Sequence, residues 1–258
     1  MHSPISPAIL YWGTPVVLIT TENEDGTTNI GPMSSAWWLG HRCMLGLGAV
    51  SQTTINLLRT KQCVLNLPSD GMGAQINALA RATGTPQVPP IKQALGYRYV
   101  KDKFACAGLT PQPSTLVRPA RIAECPVQME AELVNVVELM QDLPDRKGFM
   151  LALEVKILRT HVEDYLRMAG HPNRIDPDRW RPMIMSFQEL YGLAPRKAVP
   201  STLASIDEEK YRPLTRSEVV RQGGDMDAFD DRVDEKSVSA DRPGNVALSS
   251  TENEKQAV

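Results

Sequence analysis

The sequence predicts a mainly β domain, a barrel with a few helices inserted between its strands. Apolar and polar residues alternate, as in half-buried strands, along "ARIAECPVQMEAELVNVVELM" and "GFMLALEVKILRTHV". The intervening "QDLPDRK" has the proline and polar residues of a hairpin loop. Helices do not follow the strands in the regular rhythm of a doubly wound parallel sheet, so that fold is disfavoured.

A second hairpin is predicted near the N-terminus. Its first strand is the β-branched run "TPVVLITT", and Asp25-Gly26 in "ENEDGTT" is a strong turn signal. The returning strand is "NIGPMSSAWWLG", and "RCMLGLGAV" forms a third strand. The small residues Gly46, Gly48 and Ala49 indicate either close approach by a backbone or a flat ligand, or a bulge at a barrel corner.

The predicted helices are short. "SQTTINLLRTKQ" begins with Ser51 as an N-cap and has an apolar face, and a buried strand, "CVLNLP", follows it. Further helices are predicted over residues 70–82 and in a short segment through Ala94. Asp176-Pro177 suits the start of another helix, with the aspartate as cap and the proline at the first helical position.

Composition disfavours several classes of partner and site. The 258 residues carry a formal net charge of -2 with a pI near 6.1, so no basic field attracts nucleic acid or an anionic membrane. The four cysteines are widely spaced without a C-x-x-C pair, so neither a zinc site nor a disulfide framework is predicted. No run approaches about 18 apolar residues and no secretory leader is recognised, so we expect a soluble, cytoplasmic protein.

Two regions differ in character. Residues 1–196 read as one folded domain, whereas residues 197–258 are rich in Asp, Glu, Ser and Gly with scattered apolar residues. Such a segment cannot offset its ordering entropy by burial, so we expect a disordered tail. A short helix around "SIDEEKYRPL" stays open within it.

The start of the first predicted helix is a candidate phosphate site. Ser51, Gln52, Thr53 and Thr54 combine hydroxyls with the oriented N–H groups and dipole of a helix N-terminus, and no acidic residue is there to repel an anion. Hydroxyls of Ser34-Ser35, near the end of the second strand, could converge on the same spot. The alternative is that the helix hydroxyls are simple caps and the strand serines bond to backbone.

Three segments in order, "GTPVVLITTENEDGTTNIGPMSSAWW", "LGLGAVSQTTINLLRT" and "CVLNLPSD", resemble the flavin reductase-like family of FMN-binding split barrels. The similarity continues through "GLTPQPSTLVRPARIAECPVQMEAEL", "LALEVKILRTHV" and "HPNRIDPDRWRPMIMSFQELYGL", and so covers most of residues 10–195. The resemblance implies a homodimer of six-stranded antiparallel Greek-key split β-barrels. It also implies FMN in a cleft at the subunit interface, with FAD left open, and NADH or NADPH as co-substrate.

The resemblance also assigns candidate binding residues. The isoalloxazine would be wrapped by Pro32, Met33, Ser34 and Ser35. The phosphate and ribityl chain would be held by the helix start and its neighbours: Ser51, Gln52, Thr53, Thr54, Asn56 and, on the next strand, Asn66. Many relatives place Lys or Arg in the loop that enters this helix, and the present chain does not. Its site would therefore bind the phosphate by dipole and hydroxyls, helped by Arg59 or Lys61.

A second cluster of polar residues lies within "GHPNRIDPDRWRPMIMSFQELYGL". The equivalent segment packs near the flavin in the family, so His171 and Arg174 are candidates to contact the isoalloxazine or a nicotinamide. Histidine, with an ordinary pKa near 6.5, could also move a proton. The alternative is a backbone-held loop histidine and an arginine paired with Asp176 or Asp178. Trp37 and Trp38 face opposite sides of a strand, so at most one could line a flavin cleft while the other enters the core or the dimer interface; core packing is favoured for both.

These observations lead to three functional hypotheses. The first is an NAD(P)H:flavin reductase, with an oxygenase as the partner that would receive reduced flavin. The second is a flavin-dependent enzyme that oxidises or reduces a specific small molecule directly. The third is a non-catalytic flavin-binding electron carrier. The sequence presents no acid–base dyad, metal cluster or glycine-rich dinucleotide motif as a competing site.

Overall fold

The computed structural model of the protein describes residues 2–212, 218–219 and 223. Its strands are β1 (Trp12–Pro15), β2 (Val17–Glu22), β3 (Thr28–Met33), β4 (Ala36–Leu39), β5 (Arg42–Gly48), β6 (Gln62–Leu67), β7 (Ala82–Thr83), β8 (Arg98–Tyr99), β9 (Pro111–Gln112), β10 (Arg121–Ile122), β11 (Val127–Glu138), β12 (Met150–Val162), β13 (Ile184–Ser186) and β14 (Glu189–Tyr191). Its α-helices are α1 (Gln52–Thr60), α2 (Gly73–Ala80), α3 (Pro90–Ala94) and α4 (Lys103–Ala107). No helix in these residues has the length and apolarity needed to cross a membrane.

The main sheet is antiparallel and has the strand order β3-β2-β6-β11-β12-β5-β4. It confirms the prediction of a mainly β fold with inserted helices. The sheet has seven strands where six were predicted. The segment expected to be one strand forms two, β3 and β4, because the chain leaves β2 at Met33 and pairs with β5 from Ala36 onward.

This break explains why the sheet curves into a barrel. β3 and β4 are the two edge strands of the sheet, yet only Ser34 and Ser35 separate them in the chain. So short a link spans less than the width of a flat seven-stranded sheet. The sheet must therefore bend until the ends of its edge strands approach each other at a seam formed by Ser34 and Ser35, and the Gly46 N–H donates to the Ser35 carbonyl over 2.8 Å, which continues the pairing of β4 with β5.

The core lies on both faces of β2. Val17 and Ile19 point into a barrel interior that also buries Leu57 of α1. Leu18, on the opposite face, packs with Ile30 of β3 and with apolar residues of α2 and α4. Alternation along one strand thus places α1 on one side of the sheet and α2 with α4 on the other.

The helix predicted at Asp176 does not form. A turn replaces it, in which the Asp178 N–H donates to Asp176 Oδ1 and the Trp180 N–H to the Asp176 carbonyl. The following residues are drawn into extended pairing, because the Arg181 carbonyl accepts from the Asp70 N–H and β13 pairs with β1. Tertiary pairing therefore overrides a good local start signal.

Part of the predicted tail contacts the barrel. Residues Thr202–Ser205 and Glu208–Tyr211 form short 3-10 helices, the second within the segment where a short helix was left open. Asp207 and Glu208 form ion pairs with Arg174. The rest of that tail, apart from residues 218–219 and 223, lies outside the described residues, and the domain boundary at residue 196 stays a prediction.

Candidate functional site

The first turn of α1 forms as the sequence predicts. Ser51 is the N-cap, and its Oγ accepts from the Thr54 N–H over 3.2 Å. The Thr54 hydroxyl lies 2.8 Å from Ser51 Oγ and donates to the Gly48 carbonyl over 2.8 Å. These hydroxyls therefore cap the helix and also tie its start to the end of β5. Capping does not exclude a phosphate site here, because a cap uses only part of the N–H donors at a helix start.

The same turn keeps donors for an external anion. Within the residues described, the N–H groups of Gln52 and Thr53 donate to no protein acceptor. The first turn contains no acidic residue. Two N–H groups at the positive end of a helix dipole favour a phosphate or another compact anion.

Two glycines let this turn approach its surroundings closely. A Cβ on Gly31 of β3 would lie 2.3 Å from Thr53 Oγ1, and a Cβ on Gly84 would lie 2.4 Å from Asn29 Oδ1 and 3.0 Å from Gln52 Cγ. Both distances to oxygen are far below van der Waals contact, so neither position accepts a side chain without movement. Glycine at these two positions is therefore a condition for the site.

Polar atoms without partners lie at the same place. Asn29 is 2% exposed, and its Nδ2 donates to Thr53 Oγ1 over 3.2 Å. Its Oδ1 and the hydroxyl of Thr85 are buried and find no hydrogen-bond partner within the described residues. Both atoms are covered by protein, and an amide oxygen accepts hydrogen bonds, so these two groups do not contribute to binding an anion. The free N–H groups of Gln52 and Thr53, at a helix start without an acidic residue, are what fits a phosphorylated group.

The β3–β4 junction lies next to this turn. Ser35 Oγ is 3.0 Å from the hydroxyl of Tyr11, and a Cβ on Gly46 would lie 3.1 Å from Ser35 Cβ. Pro32 and Met33 are half-buried, and Ser34 is buried. The predicted ring-binding residues therefore stay together, one strand away from the helix start.

The two predicted asparagines have structural roles. Asn66 is fully buried: its Nδ2 donates to the Leu18 carbonyl and its Oδ1 accepts from the Ile122 N–H, both over 2.9 Å. Asn56 is also fully buried, donates to Asn23 Oδ1 over 2.8 Å and accepts from Gln52 Nε2 over 2.9 Å. Their amides are already used by the protein, so we do not retain them as flavin ligands.

The two cations that were expected to help bind the phosphate lie at the C-terminal end of α1, not at its first turn. Arg59 is in the last turn and donates to the Glu22 carbonyl. Lys61 is the C-cap, in a left-handed conformation with φ 59°. A helix of this length places them roughly 13 Å from its first turn, so they do not face a phosphate there.

His171 and Arg174 are also remote from the helix start. Arg174 lines a cavity of about 460 Å³ together with Thr160 of β12. Met150, at the start of β12, pairs with Gly48, and at about 3.3 Å per residue it lies roughly 30 Å from Thr160. The partners of Arg174 are Asp207 and Glu208, not the aspartates considered from the sequence. Contact with a flavin at α1 would need a second copy of the chain.

Trp37 and Trp38 are adjacent in β4, so their side chains lie on opposite faces of the strand. Trp38 packs against the barrel core, whereas Trp37 is 57% exposed. Core packing was predicted for both, and it is wrong for Trp37. Trp37 lies on the face of β4 that points away from the barrel core, so its side chain reaches solvent.

The structure shows a buried acid–histidine pair that the sequence did not reveal. Glu130 is fully buried and accepts from the N–H groups of Thr115, Leu116 and Val117. His161 Nε2 lies 2.7 Å from its Oε1. Burial lowers the pKa of His161, although the contact with Glu130 opposes this. The sequence did not reveal this pair because Glu130 and His161 lie on different strands, and no local pattern links them.

The β11–β12 hairpin projects an apolar arm beyond the barrel. The exposed apolar residues of this arm are Val134, Val136, Val137, Leu139, Met140, Leu143, Phe149 and Met150. The Ala49 N–H donates to the Phe149 carbonyl over 2.9 Å, so the arm begins beside the loop that enters α1. So many exposed apolar residues on one hairpin are typical of a protein interface.

The chain matches the family described as "Flavin reductase like domain" over residues 11–166. It is 41% identical over 189 residues to the uncharacterized protein YdfE of Bacillus subtilis (strain 168), an alignment that covers 73% of this chain and 88% of that protein.

Two solved structures are similar to the present one. Flavoredoxin of Desulfovibrio vulgaris (Miyazaki F) aligns with a TM-score of 0.64 at 18% identity, over 80% of this chain and 99% of that one. Nitrilotriacetate monooxygenase component B from Bacillus cereus aligns with a TM-score of 0.58 at 18% identity, over 74% and 89%. At this identity the two structures support the fold alone. The family match and the sequence relative, however, show that the chain belongs to the flavin reductase-like family, with the split-barrel fold.

Proposed function

We propose that the protein is an NAD(P)H:flavin reductase that binds FMN with its phosphate at the first turn of α1 and its ring at the β3–β4 junction. The observation that supports the phosphate position is the pair of free N–H groups of Gln52 and Thr53, beside two glycines that let the turn pack closely. Family membership supports flavin as the phosphorylated ligand.

Different residues of the site would bind different parts of the FMN molecule. Ser51 and Thr54 fix the turn so that its N–H groups are already oriented, which lowers the entropic cost of holding the anion. Ser34 and Ser35 bring backbone and hydroxyl groups to the ring, and Tyr11 positions the Ser35 hydroxyl. When bound, the flavin supplies the hydride-accepting chemistry itself. The nicotinamide would bind by stacking on the ring.

The apolar arm supports a homodimer. Its exposed valines and Phe149 offer a large apolar surface next to the loop that enters α1. A second copy on this arm would cover the site from outside and exclude water. His171 and Arg174 of that copy are the remaining candidates for contact with the ring or the nicotinamide.

We expect the double variant Val137→Lys, Phe149→Lys to be monomeric where the unaltered protein is dimeric. Both side chains are more than 40% exposed in one chain, so the variant should still fold. Flavin affinity should fall about ten-fold if the second copy completes the site. Sedimentation velocity and a flavin titration measure the two effects. Ile91→Lys, at an exposed apolar residue outside the arm, is the control. A monomeric unaltered protein would contradict the dimer.

Anaerobic spectroscopy tests the activity. The protein is titrated with FMN, then with NADH or NADPH, and free flavin is added to follow turnover. We expect the bound flavin to bleach with a nicotinamide and added flavin to be reduced catalytically. Bleaching only with a dedicated organic substrate would favour the second hypothesis. Binding without reduction by either nicotinamide would favour an electron carrier, and absence of binding at micromolar FMN would refute the proposal.

An oxygenase is the partner we propose for the reduced flavin. Component B of nitrilotriacetate monooxygenase shares the fold, although at 18% identity. A reductase of this kind would release its flavin, so the site must hold FMN reversibly. Helix N–H groups and hydroxyls suit that requirement, because they bind a phosphate without a covalent link.

A further inference from the structure

Residues 201–212 form a strap that contacts the barrel at an arginine-lined cavity. Asp207 and Glu208 of the strap form ion pairs with Arg174, whose side chain is 22% exposed. Arg174 and Arg167 both line the cavity of about 460 Å³. The strap therefore places two carboxylates on a guanidinium that belongs to the wall of this cavity.

The strap is held by charge and not by apolar packing. Its large apolar side chains are exposed, namely Leu203, Ile206 and Tyr211. Neither of its 3-10 helices contains a buried residue. The side chains of Asp207 and Glu208 are themselves exposed, and ion pairs of exposed groups contribute little net free energy and weaken with salt. The strap can thus leave Arg174 without uncovering an apolar core.

The chain beyond the strap returns to the same cavity. Val219 is 3% exposed and lines the cavity together with Gly223. A strap anchored in this way stays close to Arg174 when its ion pairs open, so its carboxylates act at a high effective concentration. Any anion that binds Arg174 must compete with them.

The two barrel arginines suit a ligand with two phosphate groups. The Met168 N–H donates to the Arg174 carbonyl over 2.9 Å, so Arg167 and Arg174 come from adjoining segments of backbone. The partner of Arg167 is Asp164, which is 94% exposed, so this ion pair is weak. A guanidinium fork binds phosphate oxygens in the same bidentate manner as a carboxylate. Among the described lining residues before the strap, these two arginines face a single carboxylate, Asp164.

We propose that the strap is autoinhibitory, and that Asp207 and Glu208 occupy Arg174 in place of the diphosphate of the nicotinamide dinucleotide. The inference rests on the proposed function, in which Arg174 of a second copy is a candidate for contact with the nicotinamide. The dinucleotide binds when the strap is displaced. Its apparent affinity is then lowered by the fraction of chains in which the strap is closed. The strap thereby sets the concentration of NADH or NADPH at which the flavin is reduced.

Calorimetric titration with inorganic pyrophosphate tests the site without flavin chemistry. The full chain is compared with the strap variant Asp207→Asn, Glu208→Gln, in which the asparagine can still cap the Glu209 N–H. We expect this variant to bind pyrophosphate about 3- to 10-fold more tightly, the effect of losing two exposed ion pairs. The control is Asp178→Asn, which removes an exposed carboxylate paired with Lys197 outside the cavity and should change nothing.

Variants of Arg174 test the other side of the contact. Arg174→Met should weaken pyrophosphate binding by about 10-fold or more, because a charge-assisted contact is lost. Arg174→Lys keeps the charge without the planar fork and should lose less. Circular dichroism checks that both variants are folded. Equal affinity of the strap variant and the unaltered protein overturns the proposal, and so does unchanged binding by folded Arg174→Met.

NADH separates this inference from the proposed function. NADH should compete with pyrophosphate, and its KM for FMN reduction should fall about 3- to 10-fold in the strap variant. Absence of competition overturns the dinucleotide as the ligand. If FMN is reduced with the same KM in both proteins, autoinhibition fails while the reductase stands. If the strap variant binds pyrophosphate more tightly and NADH competes, but no flavin is reduced, the strap proposal stands while the reductase fails.

Discussion

Replacement of Glu130 by alanine is expected to lower the free energy of unfolding by about 3–5 kcal/mol. The carboxylate is fully buried and accepts from the backbone N–H groups of Thr115, Leu116 and Val117 and from His161. Its removal leaves those donors without their acceptor in a largely buried site, and each unpaired donor carries its own desolvation cost. Urea denaturation at pH 7 measures the change.

The pH dependence identifies the carboxylate as the cause. Burial alone would raise the pKa of Glu130, but the N–H groups of Thr115 and Leu116 and the contact with His161 outweigh it, so the pKa lies below its usual value. A carboxyl with a lowered pKa stabilises the fold above its unfolded pKa and loses that contribution as the pH falls through its folded pKa. The cost of Glu130→Ala should thus be complete at pH 7 and shrink below about pH 4.

A control on the same strand makes this result specific. Glu138→Ala removes an exposed carboxylate of β11 and should change the free energy of unfolding by less than about 0.5 kcal/mol. Equal effects of the two variants, or a Glu130→Ala cost below about 1 kcal/mol, would show that the N–H groups find other acceptors.

The second large effect is expected at Gly31. Its replacement by alanine brings a methyl group within 2.3 Å of Thr53 Oγ1, so the first turn of α1 must shift. Overpacking of this kind costs about 1–3 kcal/mol, and FMN affinity should fall about ten-fold or more because the N–H groups of Gln52 and Thr53 lose their alignment. Denaturation and a flavin titration report the two consequences.

A second substitution, at Thr53, should relieve the clash caused by Gly31→Ala. Thr53→Ala removes the hydroxyl and methyl that Gly31→Ala would meet, leaving Thr53 Cβ at 3.3 Å as the nearest atom. The double variant should therefore be more stable than Gly31→Ala alone, which a double-mutant cycle measures. Gly48→Ala is the matched control, since a Cβ there meets nothing within 4 Å. An equal cost at Gly48 would refute the steric explanation.

The sequence predicted what local signals control. Ser51 caps α1 because a serine before an apolar helical run is a local signal, and the β11–β12 hairpin follows from alternation and a polar loop. The break between β3 and β4 was missed, since residues on both sides of Ser34-Ser35 suit a strand equally well.

The candidate site was predicted only in part, because local signals do not reveal contacts between distant segments. Its hydroxyls are adjacent in sequence, but the close packing of Gly31 against Thr53 joins β3 to α1, and no local pattern links those two segments. Asn66 looked available as a ligand because its partner, the Ile122 N–H, comes from β10, which is distant in the chain. The periodicity of apolar residues does not reveal contacts between residues so far apart in the chain.

The link of two residues between the edge strands has a consequence for folding. Closing a barrel through a long connection requires a large loss of loop entropy, whereas Ser34 and Ser35 join β3 to β4 with almost none. The seam can therefore form as soon as the neighbouring hairpins exist. Once formed, the seam holds the adjoining ends of β3 and β4 together, so a connection of only two residues fixes the point at which the barrel closes.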